Sequence, residues 1–68
     1  MSTEQKVKEF DNIIEIAKWN MYGEEWEAAQ NNLKHAKTLA ISLRDKSRID
    51  ITLDLLNKVE KKEKVPIS

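Results

Sequence analysis

The sequence predicts an all-α protein, an antiparallel three-helix bundle that forms one domain over residues 1–64 and is followed by a short tail at 65–68. Apolar residues recur at alternating steps of three and four in three successive stretches, which is the spacing of one face of an α-helix. Glycine and proline occur once each among 68 residues, so there is little room for long loops. The apolar pattern also changes phase between residues 44 and 47, which predicts a turn there rather than one long helix.

The first predicted helix covers residues 3–22. Ser2 and Gln5 have the spacing of a capping box, and Gly23 is expected to end the helix in a left-handed conformation. The apolar stripe of this helix consists of Val7, Phe10, Ile13, Ile14, Ala17 and Met21. Trp19 falls outside this stripe, and Ile16 lies at its margin. Trp19 is therefore either covered by the third helix or the tail, or it is an exposed anchor for a partner.

The second predicted helix, residues 24–44, carries the most regular pattern and is expected to lie between the other two. Its stripe consists of Trp26, Ala29, Leu33, Ala36, Ala40 and Leu43, and we expect these residues to form the core. Half of the stripe is alanine, which allows a neighbouring helix to approach closely. Glu24, Glu25 and Glu27 crowd the first turn, where the positive end of the helix dipole favours acidic side chains.

The third predicted helix covers residues 47–63. Continuing the spacing past Leu43 would reach only polar residues, namely Ser47, Asp50, Asp54 and Asn57. The apolar residues follow a different register instead, at Ile49, Leu53, Leu56 and Val59. We therefore place a tight turn at residues 44–47, with Asp45 or Ser47 as the N-cap. Ile51 and Leu55 widen the apolar face beyond what two neighbouring helices cover, which suggests a second contact with another copy or with a ligand helix.

The residues that catalysis or cofactor binding would need do not form any recognisable pattern. Cysteine is absent, His35 is the single histidine, and one glycine cannot form a phosphate-binding loop. The hydroxyl residues have no histidine in a fixed relation to them. We therefore expect a protein that is not an enzyme and has no cofactor and no metal site. With no long apolar run and no signal-peptide pattern, we also expect a cytoplasmic protein that does not enter a membrane.

The formal charge is zero, but it is unevenly distributed along the chain. Residues 1–30 hold seven of the twelve acidic residues, and residues 31–68 hold nine of the twelve basic ones. Nucleic-acid binding is a minor alternative, in which a helix-turn-helix formed by the second and third helices places Arg44, Lys46 and Arg48 near phosphate. The zero net charge and the mostly apolar and acidic reading helix argue against it.

The second predicted helix resembles the second helix of a tetratricopeptide-type hairpin in the order Gly23, Trp26, Ala29, Leu33 and Ala36. The first helix matches the large–large–small set of that repeat at Ile13, Ile16 and Ala17. The chain departs from the repeat because its glycine stands one residue early, the aromatic that the repeat usually has at about the position of Asn20 is missing, and no proline follows at Ile41. The three-helix length with a lysine-rich end also resembles the MIT domain, a relative of that repeat. Either resemblance implies a non-catalytic scaffold that binds peptides or helices in grooves.

These observations favour protein–protein interaction as the function, with the chain acting as a small adaptor or regulator that binds a partner protein through apolar helix faces. The predicted contact residues are Ile16, Trp19, Ile41, Ile51 and Leu55. The second interpretation is structural, an obligate homodimer that completes its core by pairing the third helices of two copies.

Overall fold

The computed structural model describes residues 2–63 and contains three α-helices in this part of the chain. Helix α1 spans Thr3–Tyr22, α2 spans Trp26–Leu43 and α3 spans Lys46–Glu60. Short connections reverse the chain twice, and α2 packs against both α1 and α3. The predicted all-α three-helix bundle with a central second helix is confirmed. The predicted tail at 65–68 lies outside the described residues.

Helix α1 begins where its capping residues predict. The hydroxyl of Ser2 accepts a hydrogen bond from the backbone N–H of Gln5, and the side-chain oxygen of Gln5 accepts one from the backbone N–H of Ser2, both at 3.2 Å. These reciprocal bonds satisfy two backbone donors that the first turn of a helix leaves without partners. The predicted stripe is buried at Phe10, Ile13, Ile14, Ala17 and Met21.

The connection between α1 and α2 corrects the role that the sequence predicts for Gly23. Gly23 has a φ of −84°, and the left-handed residue is Glu24, with a φ of 60°. The N–H groups of Glu24 and Glu25 donate to the carbonyls of Met21 and Asn20 at 3.1 and 2.7 Å. This is the hydrogen-bond pattern of a Schellman motif, in which the residue after the cap is left-handed. The prediction for Gly23 was therefore wrong by one residue.

The core is centred on α2. Ala29, Leu33, Ala36 and Ala40 are fully buried, as the sequence predicts, while Trp26 and Leu43 at the two ends of the stripe are half-buried. Leu39 is also buried, although it lies outside the predicted stripe. Because α2 contacts a helix on each side, its buried surface is wider than the single stripe of a helix with one neighbour.

The turn between α2 and α3 lies where the change of register predicts it. Arg44 is left-handed, with a φ of 54°, and Asp45 is the N-cap of α3. The carboxylate of Asp45 accepts a hydrogen bond of 3.1 Å from the backbone N–H of Arg48. That bond, together with a second one from the Arg48 guanidinium, holds the pKa of Asp45 below its ordinary value. Asp45 rather than Ser47 is therefore the cap.

The buried face of α3 agrees with the predicted one at Val59, and at Ile49 and Leu56, which are partly buried against the core, but it differs elsewhere. Thr52, Leu55 and Val59 are buried, whereas Leu53 is 44% exposed. The hydroxyl of Thr52 donates to the carbonyl of Arg48 at 2.8 Å, so its polar group has a partner inside the core. Apolar residues surround more than half of α3, and its packing against α2 selects the face that is buried. The expectation that Leu53 belongs to the core was wrong.

Candidate interaction surface

Trp19 is the largest of the exposed hydrophobic side chains among residues 2–63, with 53% of its area exposed. At about 100° per residue, Trp19 points away from the buried stripe of α1, on the opposite side of the helix. Coverage of Trp19 by the third helix is excluded, because α3 leaves Trp19 exposed. The tail, which the sequence offers as the other possible cover, lies outside the described residues. Trp19 therefore contributes to a surface and not to the core of residues 2–63.

Two further exposed apolar residues lie next to Trp19 on the outer face of α1. Ile16 precedes Trp19 by three residues and Tyr22 follows it by three, a spacing that places neighbours side by side on a helix. The rings of Trp19 and Tyr22 meet edge to face, with centroids 6.2 Å apart and planes at 82°. We call Ile16, Trp19 and Tyr22 the Trp19 stripe. It is a contiguous apolar surface on a regular helix.

Carboxylates lie near both ends of the Trp19 stripe. Glu15 is exposed and lies one helical turn before Trp19. Gly23 lies one turn after Trp19, and the position that a Cβ would take there is 3.7 Å from Oε1 of Glu25. The stripe is therefore bracketed along the helix by the side chains of Glu15 and Glu25.

Asn20 ties this end of α1 to α2. Its side-chain amide donates to Oε1 of Glu25 at 3.4 Å, and its side-chain oxygen accepts from the Asn32 amide at 2.8 Å. The first bond holds the Glu25 carboxylate near the stripe, and the second links α1 to α2. The surface around Trp19 is thus built on a fixed part of the fold.

The remaining predicted contact residues do not join the Trp19 stripe. Ile41 and Ile51 are exposed, as expected of surface residues. However, Ile41 lies near the far end of α2, about 22 Å along the helix axis from Trp26. Leu55 is only 4% exposed and belongs to the core, so it is not available to a partner in this fold. That predicted contact is corrected, because Leu55 lies on the face of α3 that packs inward.

Sequence reasoning missed Tyr22, although a signal for it was present. Ile16, Trp19 and Tyr22 recur at steps of three, which places them along one side of a helix. The edge-to-face contact of the Tyr22 ring with Trp19 makes Tyr22 part of the same surface.

Arg48, which the nucleic-acid alternative places near phosphate, is engaged inside the fold. Its guanidinium contacts the Asp45 carboxylate, lies 3.8 Å from a carboxylate oxygen of Asp11, and sits 5.6 Å from the ring centroid of Phe10. These contacts join the start of α3 to α1. They give Arg48 a structural role between the two outer helices.

An open groove lies between the start of α2 and the end of α3. Trp26 and Glu27 line it from α2, and Val59 and Lys62 line it from the end of α3. Its walls mix apolar and charged groups, and His35 is exposed elsewhere on α2. Across residues 2–63, no group of three or more histidine or acidic side chains is arranged to hold a metal ion. The groove shows that the end of α3 lies beside the start of α2.

Comparisons with known proteins add no relative to this description. No family model, no curated protein and no solved structure matches the chain. None of the helices within residues 2–63 has the length and apolar character needed to cross a membrane. The assignment of function therefore depends on the geometry of the surface itself.

Proposed function

We propose that this protein is a small non-catalytic interaction module, an adaptor or regulator that binds another protein through the Trp19 stripe. The observation that carries the proposal is an aromatic pair on the outer face of α1, opposite a core that is closed without it. Tryptophan and tyrosine are enriched among the residues that dominate binding energy at protein interfaces. The stripe therefore has the composition of an interface centre.

The stripe suits a partner that presents a helix or a short apolar segment. Its three side chains lie on one side of a regular helix, so the backbone sets their spacing before a partner arrives. A preformed surface loses little conformational entropy on binding, which favours affinity from a small contact. The resemblance to tetratricopeptide repeats in residue order, and to the MIT domain in its three-helix length and lysine-rich end, favours the same function, because those families bind peptides or helices.

Capture of the partner from the native host, with matched variants, tests this proposal. Wild-type chain, Trp19→Ala and Leu53→Ala are used as bait under identical conditions. Leu53 is the control because it is a partly exposed apolar residue on α3, away from the stripe. We expect Trp19→Ala to lose the partner that wild type and Leu53→Ala retain. Equal capture by all three chains would refute a role for the stripe.

A homodimer paired through α3 is the second candidate. Ile51 and Leu53 are both exposed, and they flank the buried face of α3 on its two sides. Burial of the Ile51 side of α3 against a second copy would remove apolar area from water. Sedimentation over a range of concentrations tests it: a dimer that persists on dilution and that Ile51→Lys dissociates would favour this candidate over the first.

A further inference from the structure

We propose that the segment bound by the Trp19 stripe is a basic amphipathic helix, an inference that rests on the proposed function and specifies its partner. The apolar residues of this helix pack on Ile16, Trp19 and Tyr22. Its lysine or arginine side chains lie beside the carboxylates of Glu15 and Glu25. The partner is thus defined by two features together, an apolar face and a positive flank.

The distribution of charge around the stripe supports a positive partner. Residues 19–30 contain three glutamates and no lysine or arginine, and they also contain three of the four aromatic residues of the chain. Glu15 adds a carboxylate one turn before Trp19, and the Glu25 carboxylate lies beside Gly23, one turn after it. Lys18 is the nearest base on α1; it lies about 100° around the helix from Trp19 and one turn before Tyr22, so it flanks one side of the stripe. Carboxylates therefore lie before and after the aromatic surface along the helix.

This arrangement favours cations for two separate physical reasons. A lysine or arginine near the exposed face of an indole ring is attracted by the ring quadrupole. The same cation is attracted by carboxylates at the ends of the stripe, whereas an acidic segment would be repelled by them. Attraction of one class of partner and repulsion of the other together produce specificity.

A second copy of the chain fits this surface less well. Half-exposed aromatic side chains of about 150–250 Å² each, with Ile16, give roughly 300 Å² of apolar surface. A standard stable interface buries about 800 Å² on each partner. An antiparallel pairing of two Trp19 stripes would also bring the glutamates of both copies to the same contact. The small area and the like charges both disfavour self-association at this site.

A direct test uses two synthetic helical peptides with the same leucine spacing, one carrying lysine and the other glutamate at its polar positions. Binding to the full chain is measured by fluorescence anisotropy of the labelled peptide. We expect the lysine peptide to bind about tenfold more tightly than the glutamate peptide, with an affinity that falls as salt is added. Trp19→Ala should abolish this binding. A lysine peptide of the same composition, with its leucines scattered around the helix, should bind weakly, because it lacks an apolar face.

The double variant Glu15→Gln, Glu25→Gln tests how much the charges of the two glutamates contribute to the preference for the lysine peptide. Glutamine preserves the size of both side chains, and its carbonyl can still accept the hydrogen bond from Asn20, so circular dichroism should be unchanged. The preference for the lysine peptide should fall from about tenfold to about twofold or less. An unchanged preference in the folded double variant would overturn the role of these glutamates.

Two other outcomes would overturn the inference while leaving the proposed function standing. These are equal or tighter binding of the glutamate peptide, and no binding of either peptide while Trp19-dependent capture persists. Self-association that Trp19→Ala abolishes would overturn both, because the stripe would then bind a second copy and not another protein. Failure of the proposed function has a different signature, because capture of the native partner would then survive Trp19→Ala. The two failures are therefore distinguishable.

Discussion

Replacement of Leu33 by alanine should nearly unfold the domain. Leu33 is fully buried at the middle of α2, the helix that packs against both neighbours. Leucine-to-alanine changes at such sites cost about 3–5 kcal/mol, through lost transfer energy and the cavity that remains. Ala29 and Ala36 lie one turn to either side on the same face and have no side-chain length with which to fill the space. We therefore expect a cost near the upper end of that range.

The expected loss is large compared with the total stability of a chain this size. At about 0.05–0.15 kcal/mol per residue, the free energy of unfolding of 68 residues is roughly 3–10 kcal/mol. With a urea dependence near 1 kcal/mol per molar, a cost of about 4 kcal/mol lowers the unfolding midpoint by about 4 M. A large fraction of Leu33→Ala molecules should therefore be unfolded even without urea.

Urea unfolding followed by circular dichroism measures this effect, with Ile41→Ala as the control. Ile41 lies on the same helix but is exposed, so its replacement should change the free energy of unfolding by less than about 0.5 kcal/mol. A cost for Leu33→Ala below about 1 kcal/mol, or similar costs for the two variants, would refute a core centred on α2.

Three further predictions concern the face of α3, the helix ends and pH. Leu55→Ala should cost about 2–4 kcal/mol in urea unfolding, because Leu55 is core, whereas Leu53→Ala should cost less than about 1 kcal/mol. Gly23→Ala should be neutral or stabilising in thermal unfolding, because the φ of Gly23 is negative and the added Cβ meets only ordinary contacts. Arg44→Gly should stabilise the protein by roughly 0.5 kcal/mol, because glycine adopts a left-handed φ without strain. Because the pKa of Asp45 is lowered in the fold, its carboxylate stabilises the protein above the ordinary pKa of aspartate, and this stabilisation is lost as pH falls. The difference in unfolding free energy between wild type and Asp45→Ala should therefore shrink between about pH 5 and about pH 2.

Each of these predictions has an outcome that contradicts it. A larger loss for Leu53→Ala than for Leu55→Ala would mean that α3 buries the face that the sequence pattern first indicated. A marked drop in melting temperature for Gly23→Ala would show that Gly23 itself adopts the left-handed conformation. A wild-type advantage over Asp45→Ala that is independent of pH would show that the carboxylate charge contributes nothing to the cap.

The start of α1 and the turn between α2 and α3 were predictable because local chemistry determines them, whereas α2 begins two residues later and α3 ends three residues earlier than predicted. Ser2 and Gln5 signal the start of α1 through a spacing that only a capping box requires. The turn at Arg44 and Asp45 follows from the apolar register, since a straight helix would have placed polar residues in the core. Each of these signals lies within a few residues of the feature that it specifies.

The orientation of α3 and the fate of Trp19 were not predictable in the same way. Ile51, Leu53 and Leu55 follow one another at steps of two, so α3 has apolar residues on most sides and no unique phase. Packing against α2 decides which face is buried, and that is a long-range property of the fold. Exposure of Trp19 likewise depends on where α3 lies, because a third helix packed on the outer face of α1 would have covered it.

The free energy of unfolding of Trp19→Ala tests most directly the claim that the fold leaves this tryptophan for a partner. A surface residue that the core does not use should change stability by less than about 0.5 kcal/mol, and urea unfolding of wild type and variant should nearly coincide. A loss of about 3 kcal/mol or more, as for a buried aromatic residue, would place Trp19 in the core and contradict the account.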